Sequence, residues 1–181
     1  MFTSLPTTSR NLIITGYVEP NKPRIAQQVA ERLSMRFVDV EREIEGRMGD
    51  SMENIRMFFG ERRLKTVEDD VMRDVALNRS TVIRVNGSTL AKEGRYARLY
   101  ETGPVVCLVA RLDSILQRVH LSLGARYHDP AERATELGKL RREWVVRRKP
   151  GIHEIDATYS TEPEIIADIV QWWQRVSIER V

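Results

Sequence analysis

Short apolar runs alternate with longer stretches of helical periodicity along this chain. The runs lie at Asn11–Thr15, Met35–Val40, Thr81–Val85 and Val105–Ala110, with a weaker one at Ile155–Tyr159, and each is short enough for a fully buried strand. Between the first two, Ile25, Val29 and Leu33 recur at spacing four behind Pro23, which a first helical turn tolerates. Glu41 to Asn78 is richly charged, with apolar residues at helical spacing and Gly46, Gly49 and Gly60 as punctuation; two or three helices fit. Lys92–Tyr100 and Leu112–Val119 read as further helices, Gly124–Pro130 as a break in the form of a mobile loop. Pro163 opens a last helix with an apolar stripe of Ile166, Ile169, Val170 and Trp173 for the core. Strands alternating with helices predict an α/β fold with a five-stranded parallel sheet covered on both faces.

Composition narrows the class. The 181 residues suit one domain, and 41% hydrophobic with 30% charged residues is ordinary for a folded globular chain. Lys and Arg number 29 against 26 Asp and Glu, a net charge of +3 that implies no nucleic-acid partner by itself. The single cysteine, Cys107, lies in the fourth apolar run and is expected to be a buried structural thiol. No apolar stretch approaches the roughly 20 residues of a membrane span, and Met1–Arg10 has no apolar signal region, so the expected compartment is the cytoplasm. His120, His128 and His153 are too scattered to suggest a metal triad.

In open parallel sheets ligands gather at the carboxyl ends of the strands, which directs attention to the turn after the first run. It reads Gly16-Tyr17-Val18-Glu19-Pro20-Asn21-Lys22-Pro23. A phosphate-binding loop there would be G-x-x-x-x-G-K-[ST], whose backbone N–H groups cradle phosphates while Lys and a Mg²⁺-holding hydroxyl complete the site. Gly16 and Lys22 match. Asn21 replaces the second glycine and tolerates a left-handed backbone. Pro23 offers neither the hydroxyl nor an N–H, and Glu19 places a carboxylate where polyphosphate would lie. The loop is therefore expected to cradle ATP weakly or not at all.

Further strings carry a family resemblance over roughly residues 10–177. Phe37-Val38-Asp39-Val40-Glu41-Arg42-Glu43-Ile44-Glu45 is similar to F-x-D-[ST]-D-x-x-I-E, with Glu41 for the second aspartate. Gly60-Glu61-Arg62-Arg63-Leu64-Lys65-Thr66-Val67-Glu68 keeps the frame of G-E-x-x-F-R-x-x-E, with Lys65 for the arginine. Asn86-Gly87-Ser88 stands for G-G-G, and Arg126-Tyr127-His128-Asp129-Pro130 matches the arginine of a lid segment. Arg148-Lys149-Pro150-Gly151-Ile152-His153-Glu154-Ile155-Asp156-Ala157 matches R-x-P-x-Y-E-E-I-A-D. With the loop, these strings resemble the shikimate kinase family of nucleoside monophosphate kinase-like P-loop proteins.

That resemblance implies a single three-layer α/β/α domain over residues 1–181, with a lid-like segment near 120–135. It implies transfer of the ATP γ-phosphoryl group to the 3-hydroxyl of shikimate, by positioning and by electrostatic stabilisation from Lys and Mg²⁺. On this template Lys22, Gly16 and Asn21 would meet the nucleotide, and Asp39 would hold the metal's water shell. Glu41, Lys65, Gly87 and Arg148 would line the acid site, and Arg126 would close from the lid. Lys in place of Arg at position 65 supplies charge without the bidentate fork. Departures crowd the nucleotide side, so the expectation is a degenerate member: a pseudokinase that binds a small carboxylate such as shikimate, or a protein partner, with ATP and Mg²⁺ as cofactors only if activity persists. The alternative is an active small-molecule kinase with an altered phosphate loop. A third reading, a nucleic-acid module acting through the basic run Leu140–Lys149, is disfavoured: on a helix Leu140, Trp144 and Val145 or Arg148 would share a packed face.

Overall fold

The computed structural model describes residues 9–16 and 23–178. Strands β1 (Leu12–Gly16), β2 (Arg36–Asp39), β3 (Thr81–Arg84), β4 (Val105–Val109) and β5 (His153–Asp156) form one sheet in the order β2-β3-β1-β4-β5. All the pairings are parallel. Helices α1 (Arg24–Leu33), α2 (Val40–Met48), α3 (Met52–Val75), α4 (Gly87–Leu90), α5 (Arg95–Tyr100), α6 (Leu112–Leu123) and α7 (Pro130–Glu143) lie in the crossovers, and α8 (Glu162–Ile178) follows β5.

Alternate residues of the buried strands feed two cores, which is why the runs read as continuously apolar. Leu12, Ile14, Val106 and Leu108 pack with Val29 of α1, Ile115 of α6 and Ile166, Ile169 and Trp173 of α8. Ile13, Ile83, Cys107 and Val109 face the other side, against Ile44 of α2, Leu64, Val71 and Met72 of α3 and Leu99 of α5. The stripe expected of the last helix is therefore core, and Cys107 is fully buried. The three-layer α/β/α arrangement follows.

At the amino edge of the sheet, Asn11 is fully buried and ties three segments. Its side chain donates to the Asn78 carbonyl (2.8 Å) and accepts from Thr81 N (3.1 Å), while its own N–H reaches Thr102 O (3.0 Å).

Several boundaries differ from the sequence expectation for local reasons. Gly46 lies inside α2, whereas Gly49 ends that helix at φ +71 and Gly60 kinks α3 at φ +76. The helix expected at Lys92–Tyr100 begins only at Arg95, because Gly94 takes a positive φ of 75, and a separate turn of helix, α4, precedes it. In place of an open loop, residues Gly124–His128 form a 3-10 turn, and Asp129 then caps α7 by accepting from Ala131 N (2.8 Å). Strand β5 begins two residues before the apolar run and ends three before it does, since Asp156 accepts from Thr158 N (2.9 Å) and turns the chain there. The basic run is not one helix: α7 stops at Glu143 and a 3-10 turn, Trp144–Arg148, follows, ending where Lys149 is held extended ahead of Pro150. Val146, not Val145, is the residue this turn buries.

Candidate functional site

The carboxyl ends of β1, β2 and β3 collect most of the polar groups singled out in the sequence. Gly16 closes β1 at φ +98, and a Cβ there would lie 2.3 Å from the Leu108 carbonyl oxygen, so both the turn and the close strand require glycine. Tyr17 to Lys22 follow, and Asn21 and Lys22 with Glu19 lie outside the described residues. The chain resumes at Pro23, which flanks α1 with φ −69 and whose carbonyl accepts from Gln27 N (3.0 Å). A ring nitrogen without hydrogen therefore stands at the start of the helix that follows the loop.

Asp39 ends β2 and caps α2, its Oδ1 accepting from Glu41 N (3.1 Å) and Arg42 N (3.3 Å). The parallel register sets Asp39 beside Arg84 at the end of β3. From there the Arg84 guanidinium lies 3.4 Å from both Asp39 oxygens and 3.3 Å from Glu41 Oε2. Glu41 is buried, and its two oxygens share the Asn86 N–H at 3.0 and 3.2 Å. Burial pushes the Glu41 carboxyl up to about 7, against the pull of Arg84 and with a further push from Asp39.

The loop after β3 is claimed from its other side by Glu143, the last residue of α7. Its buried carboxylate accepts from Gly87 N and from Ser88 Oγ (2.8 Å). Burial raises the Glu143 carboxyl as well, with Ser88, the Gly87 N–H and Arg84 opposing. The open face of Gly87 is occupied by the Glu143 main chain. Asn86, Gly87 and Ser88 thus direct their donors at two buried carboxylates of the same chain.

Lys65 and Arg148 are exposed, on α3 beyond the Gly60 kink and at the end of the second 3-10 turn, and neither makes an ion pair among the described residues. Arg126 is exposed in the first 3-10 turn and pairs with Glu132 at 2.8 Å. Asp39, Glu41 and Gly87 are therefore within one connected polar group, while Lys65, Arg126 and Arg148 stand outside its hydrogen bonds. A cleft of about 300 Å³ opens at the ends of β4 and β5, lined by Arg111, Trp144, Arg147, Asp156 and Thr158. Arg147 covers the Trp144 ring at 5.3 Å and grips Glu154 at 2.7 and 3.0 Å.

Arg84 and Glu143 are the groups that the sequence reading passed over. Arg84 carried a signal, as a charged residue within an otherwise apolar strand. Glu143 carried little, being an acid within a basic run whose burial depends on α7 packing over the loop at Gly87.

A parallel sheet in this order, with a glycine turn leading from its central strand into a helix and polar groups gathered at the strand ends, defines the class of three-layer P-loop kinases. Within that class the chain belongs to the shikimate kinase family, whose model matches residues 21–174. The shikimate kinase of Thermodesulfovibrio yellowstonii is 26% identical over 175 residues, covering 93% of this chain and 97% of that protein. That of Thermus thermophilus is 29% identical over 171 residues, covering 92% and 91%. A crystal structure titled shikimate kinase from Acinetobacter baumannii in complex with shikimate shares the fold at a TM-score of 0.76 and 20% identity, covering 95% of this chain and 97% of that one. No helix among the described residues is long and apolar enough to cross a membrane.

Magnesium, which the family resemblance implies, does not fit the residues described. Asp39 is committed to the first turn of α2 and to Arg84, and Pro23 has no hydroxyl.

Proposed function

We propose that this chain is a shikimate-kinase-family protein in which phosphoryl transfer is lost or crippled, and that it works in the cytoplasm by binding a small carboxylate such as shikimate, or a protein partner. The observation that carries this reading is Pro23 at the head of α1. The phosphate-loop motif of this class supplies a hydroxyl for Mg²⁺ and a backbone N–H for a phosphate oxygen at that place, and proline has neither. Glu19 in the same loop adds like charge. Two cations support the acid half of the reading: Lys65 and Arg148 are exposed and make no ion pair among the described residues, which suits them to an incoming carboxylate.

Similarity to shikimate kinases over more than nine-tenths of the chain favours a second reading, an active kinase that relies on Lys22 with the metal held mainly by phosphates and water. Calorimetric titration with MgATP, with and without saturating shikimate, separates the two. The first reading expects heat from shikimate and none from MgATP. It also expects the restored loop Glu19→Gly, Asn21→Gly, Pro23→Ser to gain nucleotide binding. Micromolar MgATP binding, with shikimate turnover that vanishes in Lys22→Ala, would establish the second.

A further inference from the structure

Arg84 is the cation that meets Asp39 and Glu41, the two carboxylates to which the family resemblance gives the metal's water shell and the acid's hydroxyls. We propose that the Arg84 guanidinium takes the place of a divalent metal in this site, holding the Asp39–Glu41 pair in a metal-free arrangement. The inference deepens the proposed function, resting on the same reading of an impaired nucleotide side, and its test uses no nucleotide.

The geometry leaves little for a metal to take. Asp39 Oδ1 already accepts from Glu41 N, Arg42 N and Arg84, and Asp39 Oδ2 lies against Arg84. Glu41 gives both oxygens to Asn86 N and one to Arg84. The Asp39 and Glu41 side chains are 3% and 9% exposed, whereas that of Arg84 is 23% exposed, so the guanidinium covers the carboxylates from the solvent side. An incoming dication would have to displace Arg84 and would be repelled by it at close range. Placement of Arg84 is also inherent in the fold, because the β2–β3 register pairs its Cα with that of Asp39. Arginine suits the role, since its Nη1 alone reaches oxygens of both carboxylates and the guanidinium does not titrate.

The test is binding of Mn²⁺ to the full chain, without nucleotide, read from the free-ion paramagnetic resonance signal. The unmodified protein is expected to leave that signal unchanged at millimolar Mn²⁺, and its melting temperature is expected to be the same in Mg²⁺ and in EDTA. Arg84→Met, with Asp39 and Glu41 freed, is expected to bind Mn²⁺ at least tenfold more tightly, and Asp39→Asn added to it is expected to abolish the gain. Equal affinity in the unmodified protein and Arg84→Met overturns the proposal, as does an Arg84→Met protein that folds and binds no Mn²⁺. Should that variant not fold, the unmodified protein still decides. Substoichiometric Mn²⁺ that broadens the Glu41 and Asn86 amide resonances overturns the proposal, and sharp resonances support it. MgATP titration reports on the phosphate loop separately, so a nucleotide-binding protein with a metal-free Arg84 site remains distinguishable from failure of both ideas.

Discussion

The α-carbon of Gly87 faces the main-chain carbonyl of Glu143 so closely that a Cβ at position 87 would lie 2.0 Å from that oxygen. Glycine is needed there because another part of the same chain approaches, and the obstacle is backbone. Gly87→Ala is therefore expected to destabilise by about 1–3 kcal/mol, the usual cost of overpacking. Gly46→Ala makes the contrast: nothing lies within 4 Å of its Cβ, and in the interior of α2 it should stabilise by roughly 0.5–1 kcal/mol. Urea unfolding of both variants checks the pair; similar midpoints would remove the close approach as the reason for Gly87.

Arg95 is buried, with its Nη1 2.7 Å from Glu68 Oε2 and its Nε 2.9 Å from Asp69 Oδ1, and Lys92 Nζ reaches the same Glu68 oxygen at 2.5 Å. Glu68 is fully buried, so removing its inner partner leaves it only the half-exposed Lys92 ammonium as compensation. Arg95→Met should cost roughly 3–5 kcal/mol, and Glu68→Leu combined with Arg95→Met should recover much of it, because an apolar pair has no charge to desolvate. Denaturant midpoints of the single and double variants test this. A loss below about 1 kcal/mol in Arg95→Met would show that water or Lys92 suffices for Glu68.

His153 stacks on Trp172 with ring centroids 4.6 Å apart and planes 7° from parallel. Partial burial, then the nearby Arg175 charge, lowers its pKa from the ordinary 6.5. The unfolded chain thus takes up the proton first as pH falls. Stability from the neutral ring is fully present above pH 6.5 and declines as pH drops from there through the lowered folded value. His153→Phe keeps the stack and should flatten that part of the curve. Melting temperatures of the two proteins between pH 7.5 and 5.5 measure the difference; parallel curves would mean that His153 does not titrate with folding.

Cys107 is fully buried in β4, and burial, with Glu154 as a lesser contributor, pushes its thiol up to about 12. The reactive thiolate is thus scarce and shielded at neutral pH. A thiol-disulfide reagent should leave the native protein untouched on the timescale that modifies it completely in denaturant. Rapid native labelling would place Cys107 in a part of the fold that opens readily.

Much of the fold was legible because parallel strands buried on both faces write themselves as apolar runs. Leu12–Gly16 and Val105–Val109 differ from the expected strands by no more than a residue at either end. The ends that moved were set by particular residues whose conformation the pattern does not encode: the positive φ of Gly94, the Asp156 turn onto Thr158, and the extended Lys149 ahead of Pro150. In the site, the resemblance brought out Asp39, Glu41 and Gly87, since these lie within strings quoted from the family. What those residues touch was not legible. The contact of Arg84 with Asp39 and Glu41 depends on strand register, and that of Glu143 with Gly87 and Ser88 spans more than fifty residues.

Asn11 lies at the far edge of the sheet from this polar group. Its side chain knots β1 to the start of β3, and the segment before β4 passes so near that a Cβ on Gly103 would meet the Asn11 carbonyl oxygen at 1.7 Å. One rim of the sheet is tied together by Asn11, and the polar group of Asp39, Glu41 and Arg84 gathers at the other. Substitutions at the phosphate loop therefore cut none of the bonds by which Asn11 aligns its neighbours. A lineage built this way can exchange its reaction for another task without first dismantling its shape.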